Sequence, residues 1–374
     1  MLQRWMGGLG CLGIELPIGP GAHGAYGPLR VNFVNSWGRH KSTRDGAFVK
    51  IAAFRIFTQV AEGDLPRSDL ALSMPSIRRS SVSRLAIIIP HVGSAASLES
   101  TLASVLANRP EDSEVLVVLQ QSYEDPYHIQ DEVRFIPGHD RGGVADAVNL
   151  GVQNTDAPLV HVLSCGVEVQ EGWSDAAVVR FGDPRVAAVS PMVLDAGDPE
   201  RIVAAGLAYQ LSGAIVALAQ GCAADSLGTS PKRVLAPHPT AAFYRKSILE
   251  TIGGFDPWVG DRLAVLDAGL MLRQLGWITV LEPKCRVVVP RQGLLPGGAF
   301  CQAMEAERLF WRWAPLVGRF RSILSHGVFV TGEAIRSLFN LSILPRWAGR
   351  IAGAMAAAVA PAHGRPVDRL RDAQ

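Results

Sequence analysis

From Leu85 onward the chain alternates two patterns that together permit only one class of fold. LAIIIP (Leu85–Pro90), EVLVVL (Glu114–Leu119), EVRFI (Glu132–Ile136) and PLVHVL (Pro158–Leu163) are short apolar runs of the kind that strands covered on both faces require. Between them, Ser97–Ala107 sets Leu98, Leu102, Val105 and Leu106 on one side of a helix, with Ser97 as its cap and Asn108 and Pro110 ending it. Gly143–Gln153 predicts a second helix behind a glycine pair. The alternation continues with a helix near Trp173–Phe181, a strand at Val186–Val193, helices near Lys246–Ile252 and Leu263–Leu275, and a strand at Ile278–Leu281. Repeated βαβ units predict an α/β fold, a mostly parallel twisted sheet with helices on both faces. Ligands of such sheets sit beyond the strands' carboxyl ends, here just after Ile89, Leu119 and Leu163.

The rest of the 374 residues flanks this core. Residues 1–83 are rich in Gly and basic residues, lack an apolar period and end in SMPSIRRSSVSR, which reads as a leader and linker. Met1–Pro20 is apolar, but Glu15 and scattered Gly and Pro argue against a signal peptide. Residues 84–290 hold the α/β domain, and 291–374 form a basic helical extension. From Cys285 to the end there are 12 Arg and no Lys against 5 acids, a balance of +7, whereas the whole chain carries 36 basic against 34 acidic residues. A total of +2 gives no electrostatic footprint for nucleic acid. In ERLFWRWAPLVGRFRSIL and RWAGRIAGAMAAAVA, Arg alternates with Trp and Leu. That suits a helix lying on an anionic membrane through Arg319, Arg321 and Arg350, and it suits equally a helix packed on the domain.

Ile202–Ala224 is free of charge for 23 residues, long enough for a membrane-spanning helix. Its three Gly and two Gln fit short strands in a soluble core as well. The five cysteines, odd in number and without CxxC spacing, argue against a disulfide framework or a zinc site. They point to a reducing, cytoplasmic compartment.

In order and spacing, LAIIIP, EVLVV, GGVADAVNLG, PLVHVLSCGVEVQEGW, DPRVAAVSP, AAFYRKSILETIGGFD and LMLRQLGWITVLEP resemble the family 2 glycosyltransferases with the GT-A, nucleotide-diphospho-sugar transferase fold. The resemblance runs from about Leu85 to Pro290. It implies a domain that binds a nucleotide-sugar donor at the strand ends and passes the sugar to a glycan or lipid acceptor. Cell-envelope or exopolysaccharide synthesis, at the inner face of the cytoplasmic membrane, is the implied setting. Such a transfer needs cations or a divalent metal against the leaving diphosphate, and a carboxylate base for the acceptor hydroxyl.

Set onto the family pattern, the donor-binding positions become Pro90 and His91 after the first strand and Gln120, Gln121 and Ser122 after the second, where the family carries acids. Arg141 in the turn before the second helix and Asn149 within it belong to the same set. After the fourth strand, Ser164, Cys165 and Gly166 stand where the metal-binding Asp-x-Asp is expected, and Glu168 is the nearest carboxylate. Mg²⁺ or Mn²⁺ would therefore lack its usual Asp ligands, and no metal residue is assigned. A metal-free site can instead set Arg141 and the first amides of the second helix against the phosphates. Asp267 matches the second Asp of the family's Glu-Asp-x-Asp, whose first two acids become Ala264 and Val265, and the usual base falls at Val265. Asp267, Asp261 and Asp256 of Gly-Gly-Phe-Asp are thus the catalytic candidates, although an exposed helix face accounts for Asp267 equally. Cys165 reads as a reactive thiol or a buried filler, and Trp173 and Trp277 as sugar platforms or core. Two functions follow: a metal-independent transferase, or a catalytically inactive sugar-binding or scaffold subunit docked to a membrane or protein through the Arg-rich extension.

Overall fold

A computed structural model describes residues 83–139, 142–290, 298–317, 319–336 and 343–359. The leader up to residue 82 and Arg141 lie outside them. The first half runs β1 (Leu85–His91), α1 (Ala95–Ala107), β2 (Ser113–Leu119), β3 (Val133–Pro137), α2 (Val144–Gln153), β4 (Leu159–Leu163), β5 (Glu168–Val169), α3 (Asp175–Arg180) and β6 (Val186–Asp195). There follow β7 (Asp198–Ala204), β8 (Leu207–Tyr209), β9 (Ile215–Ala217), β10 (Lys232–Val234), β11 (Ala241–Arg245), α4 (Lys246–Thr251), α5 (Ala264–Gln274) and β12 (Ile278–Val289). Three helices complete it: α6 (Ala299–Val317), α7 (Arg319–Arg336) and α8 (Ile343–Val359).

The sheet has the spatial order β10-β12-β6-β11-β4-β1-β2-β3, with β5 on β12 and β7 on β6. Strands β4, β1, β2 and β3 are parallel, as the apolar runs require. Strand β11 is antiparallel to both β4 and β6, while β12 is parallel to β6. Strand β1 shows why the run must be apolar throughout. Ala86 and Ile88 face one layer with Val148 and Leu266, and Leu85, Ile87 and Ile89 face the other with Leu98, Leu102 and Phe243. Ile87, Ile88 and Ile89 are fully buried, each contributing about 1.5–3 kcal/mol. Register places His91 beside Leu119 and Ile88 beside Val162, so the carboxyl ends of β1, β2 and β4 form one edge.

Several expectations are revised. Helix α1 starts earlier than expected, because Ser94, not Ser97, is its cap; the Ser94 side chain accepts from the Ser97 amide at 3.2 Å. Strand β12 runs on to Val289 through a bulge at Glu282–Arg286, where buried Glu282 pairs with Arg180. The charge-free segment 202–224 is not a helix. It supplies the end of β7 and the β8–β9 hairpin, with Ile202, Ala204, Ala205 and Leu207 buried. No described helix is long and apolar enough to cross a membrane. The extension begins as part of the domain: Leu309 and Trp313 of α6 are fully buried in the same layer as Val148 and Leu266.

Candidate active site

The edge formed by β1, β2 and β4 carries neutral groups tied mainly to backbone. His91 is buried edge-on against Tyr123, with ring centroids 5.5 Å apart, and burial holds its pKa below the usual histidine value. The Gln121 amide lies 3.2 Å from His91 Nε2 and also donates to the Gly93 carbonyl. Gln120 donates to the Gly143 carbonyl at 3.3 Å, reaching across from β2 to the start of α2. Gln121 and Ser122 are exposed. Along β3 and the connection from β2 lies a cavity of about 580 Å³ lined by Leu119, Tyr123, Asp125, Val133 and Phe135, in which the Tyr123 and Phe135 rings stack at 5.7 Å. A larger cavity of about 700 Å³ sits at the amino end of β1, around Arg84 and Asn108, away from this edge.

At the end of β4 the donors do not suit a hard cation. Ser164 Oγ points to the Pro239 carbonyl at 3.4 Å. Cys165 Sγ donates to the Pro90 carbonyl at 3.3 Å, and burial pushes the thiol up to about 11, so it stays protonated at neutral pH. This is the buried filler and not a reactive thiol. Gly166, at φ +84°, gives its amide to Thr101 Oγ1 and the Ser97 carbonyl. Glu168 is exposed and accepts from Ser100 Oγ at 2.9 Å. Mg²⁺ and Mn²⁺ take several oxygen ligands, with carboxylates foremost, and one exposed glutamate beside a protonated thiol does not provide them. Among the described residues no three His, Cys, Asp or Glu side chains gather as a metal site.

The acids lie around α5 and α6. Asp267 is 1% exposed, so the exposed-face explanation fails. Its Oδ1 accepts from Trp313 Nε1 at 2.8 Å and pairs with Arg312 Nε at 3.0 Å. Arg312 also reaches Asp256 Oδ2 at 2.6 Å, while Asp256 Oδ1 takes the Trp258 amide. One guanidinium of α6 thus bridges two of the three catalytic candidates. The third, Asp261, accepts from the Ala145 amide at 3.1 Å, and Asp146 accepts from the Gly143 amide. Two of the amides at the start of α2, those of Gly143 and Ala145, are thus taken by carboxylates. Gly143 permits the arrangement, since a Cβ there would lie 2.3 Å from Asp261 Oδ1.

Asn149 pins the Gly-Gly-Phe-Asp turn, donating to the Phe255 carbonyl at 2.7 Å and accepting its amide at 2.8 Å. Trp173 is core, packed with Phe243 and His161, and the buried His161 is driven down to about 3. Trp277 is half-buried against the same layer as Val148. Sequence reasoning misses Glu305 on α6. It is buried beside Asp261, Arg262 and Arg308, and burial followed by the Asp261 charge raises its carboxyl to about 7. Nothing in an alternating Arg-and-apolar helix singles it out.

Residues 86–253 match the family model for glycosyl transferase family 2. A search of curated proteins finds no match. Among solved structures, the chain is similar to GalNAc-T7 with UDP, GalNAc and Mn²⁺, at 16% identity and TM-score 0.51, over 65% of this chain and 49% of that one. The chain therefore spans about half the length of that relative, and the likeness shows a shared fold. It also matches mannosyltransferase PcManGT from Pyrobaculum calidifontis in complex with GDP-Man and Mn²⁺, at 16% identity and TM-score 0.42 over 74% of this chain and 86% of that one. S. aureus TarS 1-349 matches at 12% identity and TM-score 0.45, over 73% and 80%.

Proposed function

We propose that the chain, whose residues 86–253 match the glycosyl transferase family 2 model, transfers a sugar from a nucleotide-sugar donor without a divalent metal. The observation that carries this reading is the β1–β2–β4 edge. It keeps amides and a neutral histidine at the nucleoside positions and a protonated Cys165 where a metal ligand would be needed. The Tyr123–Phe135 pair beside β3 offers a base a stacking surface, and Gln120, Gln121 and Ser122 offer hydrogen bonds to base or ribose.

The acceptor class we assign is a glycan or lipid of cell-envelope or exopolysaccharide synthesis, met at the inner face of the cytoplasmic membrane. Support comes from α7 and α8. Phe320, Leu324 and Val328 on α7, and Leu344, Ile351 and Met355 on α8, are exposed at helical spacing, with Arg321 exposed beside the first stripe. That is the makeup of a helix resting on an anionic surface. Arg350 takes no part, because it is 12% exposed and bound to Glu307 and Glu333. The Arg319 side chain lies outside the description.

One observation favours a second reading, a non-catalytic sugar-nucleotide-binding subunit: Arg312 engages both Asp256 and Asp267. The two readings separate when the full chain is incubated in EDTA with UDP-, GDP- and dTDP-activated sugars and nucleoside diphosphate release is followed. Release from one donor supports the transferase. Binding of a nucleotide without release from any donor supports the subunit.

A further inference from the structure

The transfer needs a base, and the four carboxylates that the sequence singles out are poorly suited to it. Asp256 and Asp267 are bridged by Arg312, Asp261 accepts an amide of α2, and Glu168 is exposed and bound to Ser100. Glu305 differs in its bonding. Buried like Asp256 and Asp267, at 8% exposed, it has an Oε2 without a hydrogen-bond partner among the described residues. Supplied by α6, it packs against the loop before α5, where Gly260 holds φ +110°. A Cβ at Gly260 would lie 2.2 Å from Glu305 Cγ and 2.7 Å from Oε1. That loop continues into Asp261, which holds the start of α2, and α2 is in turn bonded to Gln120 at the end of β2. Glu305 therefore sits within the electrostatic reach of Asp261, whose carboxylate holds the same helix start that Gln120 bonds.

We infer that Glu305, supplied by α6, is the general base that deprotonates the acceptor hydroxyl, with Asp261 as a positioning residue; this rests on the transferase reading above. The acceptor oxygen bonds to the anomeric carbon as its proton passes to the Glu305 carboxylate. The bond from that carbon to the diphosphate oxygen breaks, and its electron pair leaves with the nucleoside diphosphate. The groups facing Glu305 are Asp261 and Arg262 from the loop and Arg308 from its own helix. Burial and the Asp261 carboxylate favour the protonated form, the two guanidiniums and the Arg262 amide oppose them, and the balance falls at about 7. A carboxylate with that proton affinity is a far better base near neutral pH than one in the ordinary range.

The test uses the full chain and whichever UDP-, GDP- or dTDP-sugar releases nucleoside diphosphate, with rates measured from about pH 5.5 to 8.5. The wild-type rate should rise about tenfold per unit below pH 7 and level off above it. Glu305→Gln should lose a factor of about 10² to 10⁴ in rate while binding the free nucleoside diphosphate as tightly as wild type. Glu305→Asp should restore part of the loss. Full activity in Glu305→Gln overturns the base and leaves the transferase standing. If that variant does not fold, a wild-type rate that is flat through pH 7 overturns the base by itself. No release by wild type from any donor overturns the transferase reading and the base with it.

Discussion

Two regions of the molecule handle polar groups in opposite ways. On the β1–β2–β4 edge, His91, Gln120, Gln121, Ser164 and Cys165 are neutral and bonded largely to backbone. On the α5–α6 seam, Asp256, Asp261, Asp267 and Glu305 face Arg262, Arg308 and Arg312. The charge expected at the strand ends is found instead where the C-terminal extension packs on the domain. The difference teaches that the extension is no accessory to this site. It brings Arg308 and Arg312, two of the three guanidiniums that face the acids, and Glu305 of its own.

If that is right, the seam is where single substitutions cost most. Arg312→Met should destabilise by about 3–5 kcal/mol, since it leaves Asp256 and Asp267 buried without their partner. Urea unfolding would register this, and adding Asp256→Asn and Asp267→Asn should recover most of it. A loss below 1 kcal/mol would break the comparison. Next comes the docking of α8 on α6, in which a Cβ at Gly353 would lie 2.5 Å from the Met304 carbonyl. Gly353→Leu should cost about 1–3 kcal/mol by forcing the helices apart, read as a lower Tm.

The pH dependence of stability sharpens the comparison further. The folded carboxyl of Glu305, at about 7, lies above the ordinary 4.5, so the folded state binds the proton more tightly than the unfolded chain does. Its contribution is therefore fully present below about pH 4.5 and lost as pH rises to about 7. Glu305→Gln should flatten that part of the stability profile, measured by urea midpoints across pH. The smallest effect is expected at α7. Binding of the full chain to phosphatidylserine vesicles should weaken with salt and with Leu324→Asp, and Arg321→Ala should cost about 1 kcal/mol. Partitioning unchanged by all three would remove the membrane reading.

The strands that hold the site are legible because each is apolar on both faces, and a run such as Leu85–Pro90 admits no other placement. Strand β11 is harder to see, since AAFYR passes straight into the helical KSILET with no turn residue between. The β7–β9 segment is ambiguous for a different reason: a charge-free run with glycines satisfies both a buried helix and short strands until the sheet decides. The β1–β2–β4 edge is legible as a place, because parallel pairing brings those strand ends together, but the partners of its residues are not. Asn149 and Asp261 are bonded by backbone groups far away in sequence. The α6 residues are the least legible. An amphipathic pattern says that one face is buried, and it cannot say that Arg312 meets two aspartates or that Glu305 meets Asp261.

The central claim is a donor edge that works without a metal, and the most direct measurement is a thermal-shift series of the full chain with UDP, GDP, dTDP and CMP, each with Mn²⁺ and with EDTA. A nucleotide at about 100 times its Kd should add about 2.7 kcal/mol to the folded state. The account predicts that one nucleotide raises Tm by the same amount in both conditions. Stabilisation seen only with Mn²⁺, or none with any nucleotide, would contradict it.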